Sequence, residues 1–183
     1  MVVSAAATIT SNESEYLPPG VVNLPEQMEW VDGQLIEKTG MTFKHSVTQA
    51  NLTRHWGNYI LSSGQGGKVC TEAPCRTGKQ SRRPDVAYIT PQLIEELGEF
   101  TILPKSFPLI AEVASPDDSA EELFTKAKEY LKSSCQEVWL LFPENQIVIV
   151  VTSEKWLLFT AGEVVSTQIV LEGFNVTVAE LFD

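Results

Sequence analysis

A single acid inside an apolar run constrains this chain more than any other feature. Pro108-Leu-Ile-Ala-Glu-Val-Ala-Ser-Pro116 is bounded by prolines and carries one carboxylate, Glu112, at its centre. Proline suits the ends of a strand and not its middle, so the run reads as a strand. Strands alternate their faces, which sends Leu109, Ala111 and Val113 one way and Ile110, Glu112 and Ala114 the other. Both faces are apolar enough to be covered. An ionised carboxylate in a covered sheet costs several kcal/mol unless a cation or hydrogen-bond donors compensate it. The fold must therefore bring Glu112 a partner.

The chain has 183 residues, enough for one domain with a substantial core. Residues 1 to 22, which end in Pro18-Pro19-Gly20, read as a weakly ordered tail, and residues 23 to 183 as one folded unit. No apolar run is long enough to span a bilayer, and the first ten residues lack a basic leader, so a cytosolic protein with no membrane partner is expected. Cys70, Cys75 and Cys135 are few and odd in number, which points to reduced thiols. With His45 or His55 they match no standard zinc spacing. A net charge of −11 argues against a broad basic surface for nucleic acid. One local basic stretch stands out, Lys79-Gln-Ser-Arg-Arg83 with Arg76 and Lys68 just upstream, and a solvated polar loop is its simpler reading.

In chain order, Pro25–Val31 suggests a short helix, Asp32-Gly33 a turn and Gln34–Lys38 a strand. A long helix is expected from Lys44 to about Leu61, ended by the glycine-rich stretch Ser62–Gly67, with a short strand through Val69. Residues 72 to 82 read as a polar loop. Arg83–Ile89 reads as a strand that fixes Asp85 at its mouth, and Thr90-Pro91 opens a short helical segment. Asp118-Ser-Ala-Glu121 has the form of a capping box with an acidic cap, so a helix is expected from Ser119 to about Ser133. Three strands follow, Glu137–Phe142, Gln146–Val151 and Lys155–Thr160, then a short strand over Val170–Phe174 and a helical turn over Val178–Phe182.

Two neighbouring strands bearing Asp85 and Glu112 can bring their carboxylates to one end of a sheet, as an oxygen site for Mg²⁺ or Mn²⁺. Such an ion would be the partner Glu112 requires, and it is able to activate water and orient a phosphodiester. Pro-Asp is also a common turn dipeptide and Glu is common in strands, so for these two residues alone structural roles are the simpler reading. Sites of this kind further use a lysine against the charge that develops on phosphorus. Ala114 occupies the position two residues beyond Glu112, and the following helix offers Lys126 and Lys128 on opposite flanks of its apolar stripe. Helical phase alone leaves both open.

Taken together, Arg83-Pro-Asp-Val-Ala, Leu109-Ile-Ala-Glu-Val-Ala-Ser-Pro, Lys126-x-x-x-Tyr130 and Glu137-Val-Trp-Leu resemble the bacterial Uma-type restriction endonuclease family of the PD-(D/E)xK nuclease superfamily. Asp32-Gly-Gln-Leu-Ile-Glu37, His45 and Leu171-Glu-Gly-Phe174 extend the similarity over about residues 24 to 183. The resemblance implies an α/β, restriction-endonuclease-like fold with a central mixed sheet flanked by helices. It implies Asp85 and Glu112 as metal ligands and selects Lys126, four residues before the tyrosine, as the third catalytic group. Glu37 and His45 become accessory candidates, and Arg83 a candidate phosphate contact. Ser133-Ser-Cys-Gln136 departs from the glycine-containing turn that relatives tend to have there. The implied activity is Mg²⁺-dependent (or Mn²⁺-dependent) endonucleolytic hydrolysis of nucleic acid, DNA first. The competing expectation is a non-catalytic nuclease-fold module that binds protein or nucleic acid. The hydrophobic strands from Gln146 to Phe159 are candidates for a homodimer interface.

Overall fold

The structure, a computed structural model, describes residues 24–183; the expected N-terminal tail lies outside the described residues. The elements run β1 (Met28–Val31), β2 (Gln34–Glu37), α1 (Phe43–Ser63), β3 (Lys68–Thr71), β4 (Cys75–Thr77), β5 (Gln80–Arg82), β6 (Val86–Ile89), α2 (Pro91–Leu97) and β7 (Leu109–Val113). Then come α3 (Ala120–Lys132), β8 (Glu137–Phe142), β9 (Ile147–Thr152), β10 (Trp156–Thr160), β11 (Val164–Ser166), β12 (Asn175–Thr177) and α4 (Val178–Phe182).

The central sheet has six strands in the order β10-β9-β8-β7-β6-β3. Strands β7 and β8 are parallel, because α3 carries the chain over one face between them, and the other pairs are antiparallel. The sheet is therefore mixed. Strand β7, next to its middle, is buried at all five positions, and the alternation expected of it divides two cores. Leu109, Ala111 and Val113 join Leu52, Trp56, Trp139 and Leu181 under α1 and α4. Ile110 joins Leu123, Ala127 and Tyr130 of α3 on the other face. Trp56 and Trp139 meet edge to face at 5.8 Å, a geometry that aromatic quadrupoles favour beyond the area buried.

Two expectations about local structure are overturned. Residues 25 to 31 are not a helix; a turn leads into β1, which pairs with β2 in a hairpin around Asp32 and Gly33, both at positive φ. Residues 72 to 82 are not a loop, since β4 and β5 form a second hairpin that joins β1 and β2 in a four-stranded sheet. Their polar sequence concealed them because this hairpin buries charge. Arg76 and Arg82 are buried, Arg76 donates to Ser81 Oγ, and Arg82 pairs with Glu29 and Glu129. The basic stretch is thus largely internal.

Smaller differences follow the same logic. Helix α3 is capped by Ser119 in a box with Glu122, one residue later than the Asp118–Glu121 frame. Ser134 sits at φ 78° in the turn between α3 and β8, a conformation that costs a Cβ-bearing residue roughly 1–2 kcal/mol. Residues 170–174 form turns, and the terminal ladder pairs β11 with β12 instead. Glu137, fully buried, explains the order of that region. It accepts Trp139 Nε1–H at 2.7 Å and the backbone N–H groups of Gln168 and Ile169 at 2.8 Å. Glu137→Ala strands those donors and is expected to lower unfolding free energy by about 3 kcal/mol, read by urea denaturation.

Candidate active site

Asp85 and Glu112 stand one position beyond the Val86–Ala111 pair of the antiparallel β6–β7 ladder, at the end of the sheet where β6 begins. Both are buried at 2% exposure and both line a cleft of about 750 Å³. The same cleft is lined by Glu29, Lys38, His45, Arg82 and Lys126. Strand pairing supplies the two acids, α3 supplies the lysine, and the β1–β2 hairpin closes the near wall. Gly40 allows that closure: its φ is +82°, and a Cβ there would stand 2.9 Å from Asp117 Oδ2 and Ser115 Oγ.

Each acid has its own set of partners. Asp85 Oδ1 accepts from Lys38 Nζ at 2.8 Å, and Oδ2 accepts the Val113 N–H at 2.6 Å with His45 Nε2 at 3.3 Å. Burial pushes its carboxyl upward, but the His45 hydrogen bond and the Lys38 charge outweigh burial and hold it well below the usual range. Glu112 Oε1 accepts from Tyr130 Oη at 2.5 Å, while the nearest cation to Oε2 is Lys126 Nζ at 3.9 Å, beyond hydrogen-bond reach. Burial dominates here. Lys126 opposes it and Asp85 reinforces it, and the carboxyl is pushed up to about 7.

Lys126 is only 18% exposed and also faces Glu29 Oε2 at 3.6 Å. Burial disfavours its charge, but Glu112 and then Glu29 more than restore it, so it is an ammonium and not a base. Lys128 lies over the Trp156 ring at 6.0 Å, away from the acids. Glu29 is held below the usual carboxylate range: burial raises it, and Lys126, Arg82 and the Arg83 N–H overcome that. His45 is buried, and its pKa is raised because the Asp85 hydrogen bond and charge outweigh desolvation. Its Nδ1 has no hydrogen-bond partner among the described residues.

Of the remaining candidates, Glu37 reaches only the rim of the cleft and Arg83 stands outside it. Glu37 pairs with Met28 in the hairpin register, whereas Glu29 pairs with Ile36, so Glu37 stands exposed on the rim and Glu29 is the buried acid. The Arg83 guanidinium donates to the carbonyls of Leu24, Met28 and Glu72. It does not line the cleft and acts as a backbone clamp. Lys38, Glu29 and Glu72 had no place in the sequence reading, although Glu29 alternates with Met28 and Trp30 as an inward strand position would.

The donor set can be tested against a divalent ion. Among the described residues no three His, Cys, Asp or Glu side chains form a ready-made cage. Magnesium does not need one, because it keeps several waters and takes one or two carboxylates plus substrate oxygens. Glu112 fits that demand: its Oε2 has no hydrogen-bonded cation among the described residues, and burial raises its carboxyl more than Lys126 lowers it.

A mixed sheet with helices on both faces and two acids at one end of the sheet beside a helix lysine defines a nuclease-like α/β protein. The chain matches, over residues 13–179, the family described as "Uma2: Putative restriction endonuclease", and it belongs to that family. A solved structure described as "a putative nuclease belonging to DUF820", from Anabaena variabilis, has a TM-score of 0.76 at 24% identity, covering 85% of this chain and 89% of that one. At that identity the likeness bears on the fold. No curated protein matches the chain.

Proposed function

We propose that the protein is a divalent-metal-dependent endonuclease that hydrolyses phosphodiester bonds of nucleic acid, DNA first. Asp85 and Glu112 would hold Mg²⁺ or Mn²⁺, and Lys126 would be the charge-stabilising group. The observation that carries the reading is the Glu112 carboxylate, buried in a sheet, raised to about 7 and faced by Asp85 and Lys126 in one cleft. When bound there, the ion supplies Lewis acidity and a more acidic water.

The protein's own groups do the rest. Tyr130 fixes Glu112 through its hydroxyl, and Val113 N–H and His45 fix Asp85, so neither acid has to reorganise when substrate arrives. The Lys126 ammonium donates to a non-bridging phosphoryl oxygen as negative charge builds on it. His45 is accessory: it is buried beside Asp85 and acts through Nε2, 3.3 Å from the Asp85 carboxylate. Exposed Glu37 is not in contact with the acids and is at most a rim residue.

A second reading rests on one observation. Glu37, Asp117, Asp118, Glu121 and Glu122 line the same cleft, and such a rim repels phosphate. It favours a nuclease-fold module that binds a protein partner and does not cleave nucleic acid. Magnesium titration of cleavage on DNA and RNA separates the two. The nuclease reading expects cleavage that appears with Mg²⁺ or Mn²⁺ and stops with a chelator. Lys126→Met should lower kcat by about 10²–10³-fold with KM little changed, and Lys126→Arg should recover part of it. No cleavage of any nucleic acid with either ion would favour the binding module. Three free thiols suit a reducing cytosol, and the outer strand β10, which exposes Trp156 and Leu158, is where we place the homodimer contact.

A further inference from the structure

The ammonium of Lys38 occupies a position that the proposed metal reading leaves unexplained. It donates at 2.8 Å to each of three acceptors: Asp85 Oδ1, Glu72 Oε2 and the Arg83 carbonyl. An ammonium has three N–H donors and no acceptor, so it is saturated. One of its three bonds goes to a proposed metal ligand. Glu112 also contributes to the field that keeps Lys38 charged, after burial, which opposes the charge, and Asp85. The lysine therefore stands in the shared field of the two acids.

We propose that Lys38 is a resident counter-cation that competes with the divalent ion for Asp85, holding the acid in the metal-free protein and yielding it when the ion binds. This rests on the reading of Asp85 and Glu112 as the metal pair. A divalent ion and an ammonium on one carboxylate oxygen repel strongly at such separations, so the cheaper arrangement moves the lysine. Its route is short. Glu72 already shares the ammonium and is itself partly exposed and braced by Gln49 Nε2 at 3.2 Å. Lys38 can give up one bond and keep two. Its backbone N–H remains bonded to the Gln27 carbonyl at 2.8 Å, so only the side chain has to turn. The competition makes the site selective for ions that outbid a monovalent charge, and it gives Asp85 Oδ1 a cation in the metal-free protein.

The test is calorimetric titration of the full chain with MnCl₂, comparing wild type, Lys38→Met, Lys38→Gln and Glu112→Gln, with circular dichroism as the fold control. Both Lys38 variants should bind Mn²⁺ about tenfold or more tightly than wild type. Their thermal midpoints should also rise more on adding Mn²⁺. Lys38→Gln keeps a donor for Asp85 and serves if Lys38→Met does not fold. Equal or weaker binding by folded Lys38 variants, with Glu112→Gln abolishing binding, overturns the competition and leaves the metal pair standing. Absence of Mn²⁺ binding in wild type and Lys38 variants alike overturns both.

Discussion

Glu112→Gln is expected to abolish metal-dependent cleavage, by about 10³-fold or more, and at the same time to stabilise the metal-free protein above neutral pH. The two effects share one cause. Glutamine keeps an oxygen to accept the Tyr130 hydroxyl but cannot supply an anionic ligand, so activity falls with packing intact. Stability moves the other way because the wild-type carboxyl is raised from 4.5 to about 7 on folding. Between those values the unfolded chain has released its proton and the folded one has not, so the unfolded state binds fewer protons and stability falls as pH rises. Below about 4.5 the group contributes no penalty, and above about 7 the penalty is complete, on the order of a few kcal/mol. The variant should lack that fall. Urea unfolding of both proteins from about pH 5 to about pH 8 reads it. A variant less stable than wild type at the upper end would mean that Lys126 stabilises the ionised acid more than burial opposes it.

Asp85→Ala should be the more damaging substitution for the fold, with a loss of about 3–5 kcal/mol in addition to lost cleavage. Asp85 binds Lys38, His45 and the Val113 N–H at once, and its removal leaves the Lys38 ammonium with one of its two acids, the partly exposed Glu72. Asp85→Asn keeps an acceptor for Val113 and should cost less. The pH dependence follows from the signs. The depressed Asp85 carboxyl contributes stability that is present above its unfolded value of 3.8 and is lost as pH falls through the folded one. The raised His45 contributes stability that is complete below 6.5 and disappears as pH rises through its folded value. In the alanine variant both dependences should flatten, which chemical denaturation across pH would register.

The sequence carried the sheet centre well because β7 is decided by local rules: period-2 apolarity, prolines at both ends and one misplaced charge. Helices α1 and α3 and the strands β8, β9 and β10 were legible for the same reason. Of the four-stranded sheet only β2 and the turn before it were legible; β1, β4 and β5 were not, because they bury arginine and glutamate. Ion pairing between segments some 50 residues apart leaves no periodic trace. The site divides along the same line. Glu112 lies on a strand whose alternation is readable, and Asp85 stands at the mouth of the next, just before β6. Glu29 and Lys38 depend on hairpin register, where one residue decides which face a side chain takes. Glu37 was drawn to the site by the family resemblance, while the register sent Glu29 inward and Glu37 to the rim.

The most direct measurement is anomalous diffraction from crystals soaked in MnCl₂. The account predicts one manganese peak between the carboxylates of Asp85 and Glu112, in coordination contact with both, with the Lys38 ammonium withdrawn from Asp85. A crystal of cleavage-competent protein with no manganese at those acids, or with the ion bound elsewhere, would contradict it.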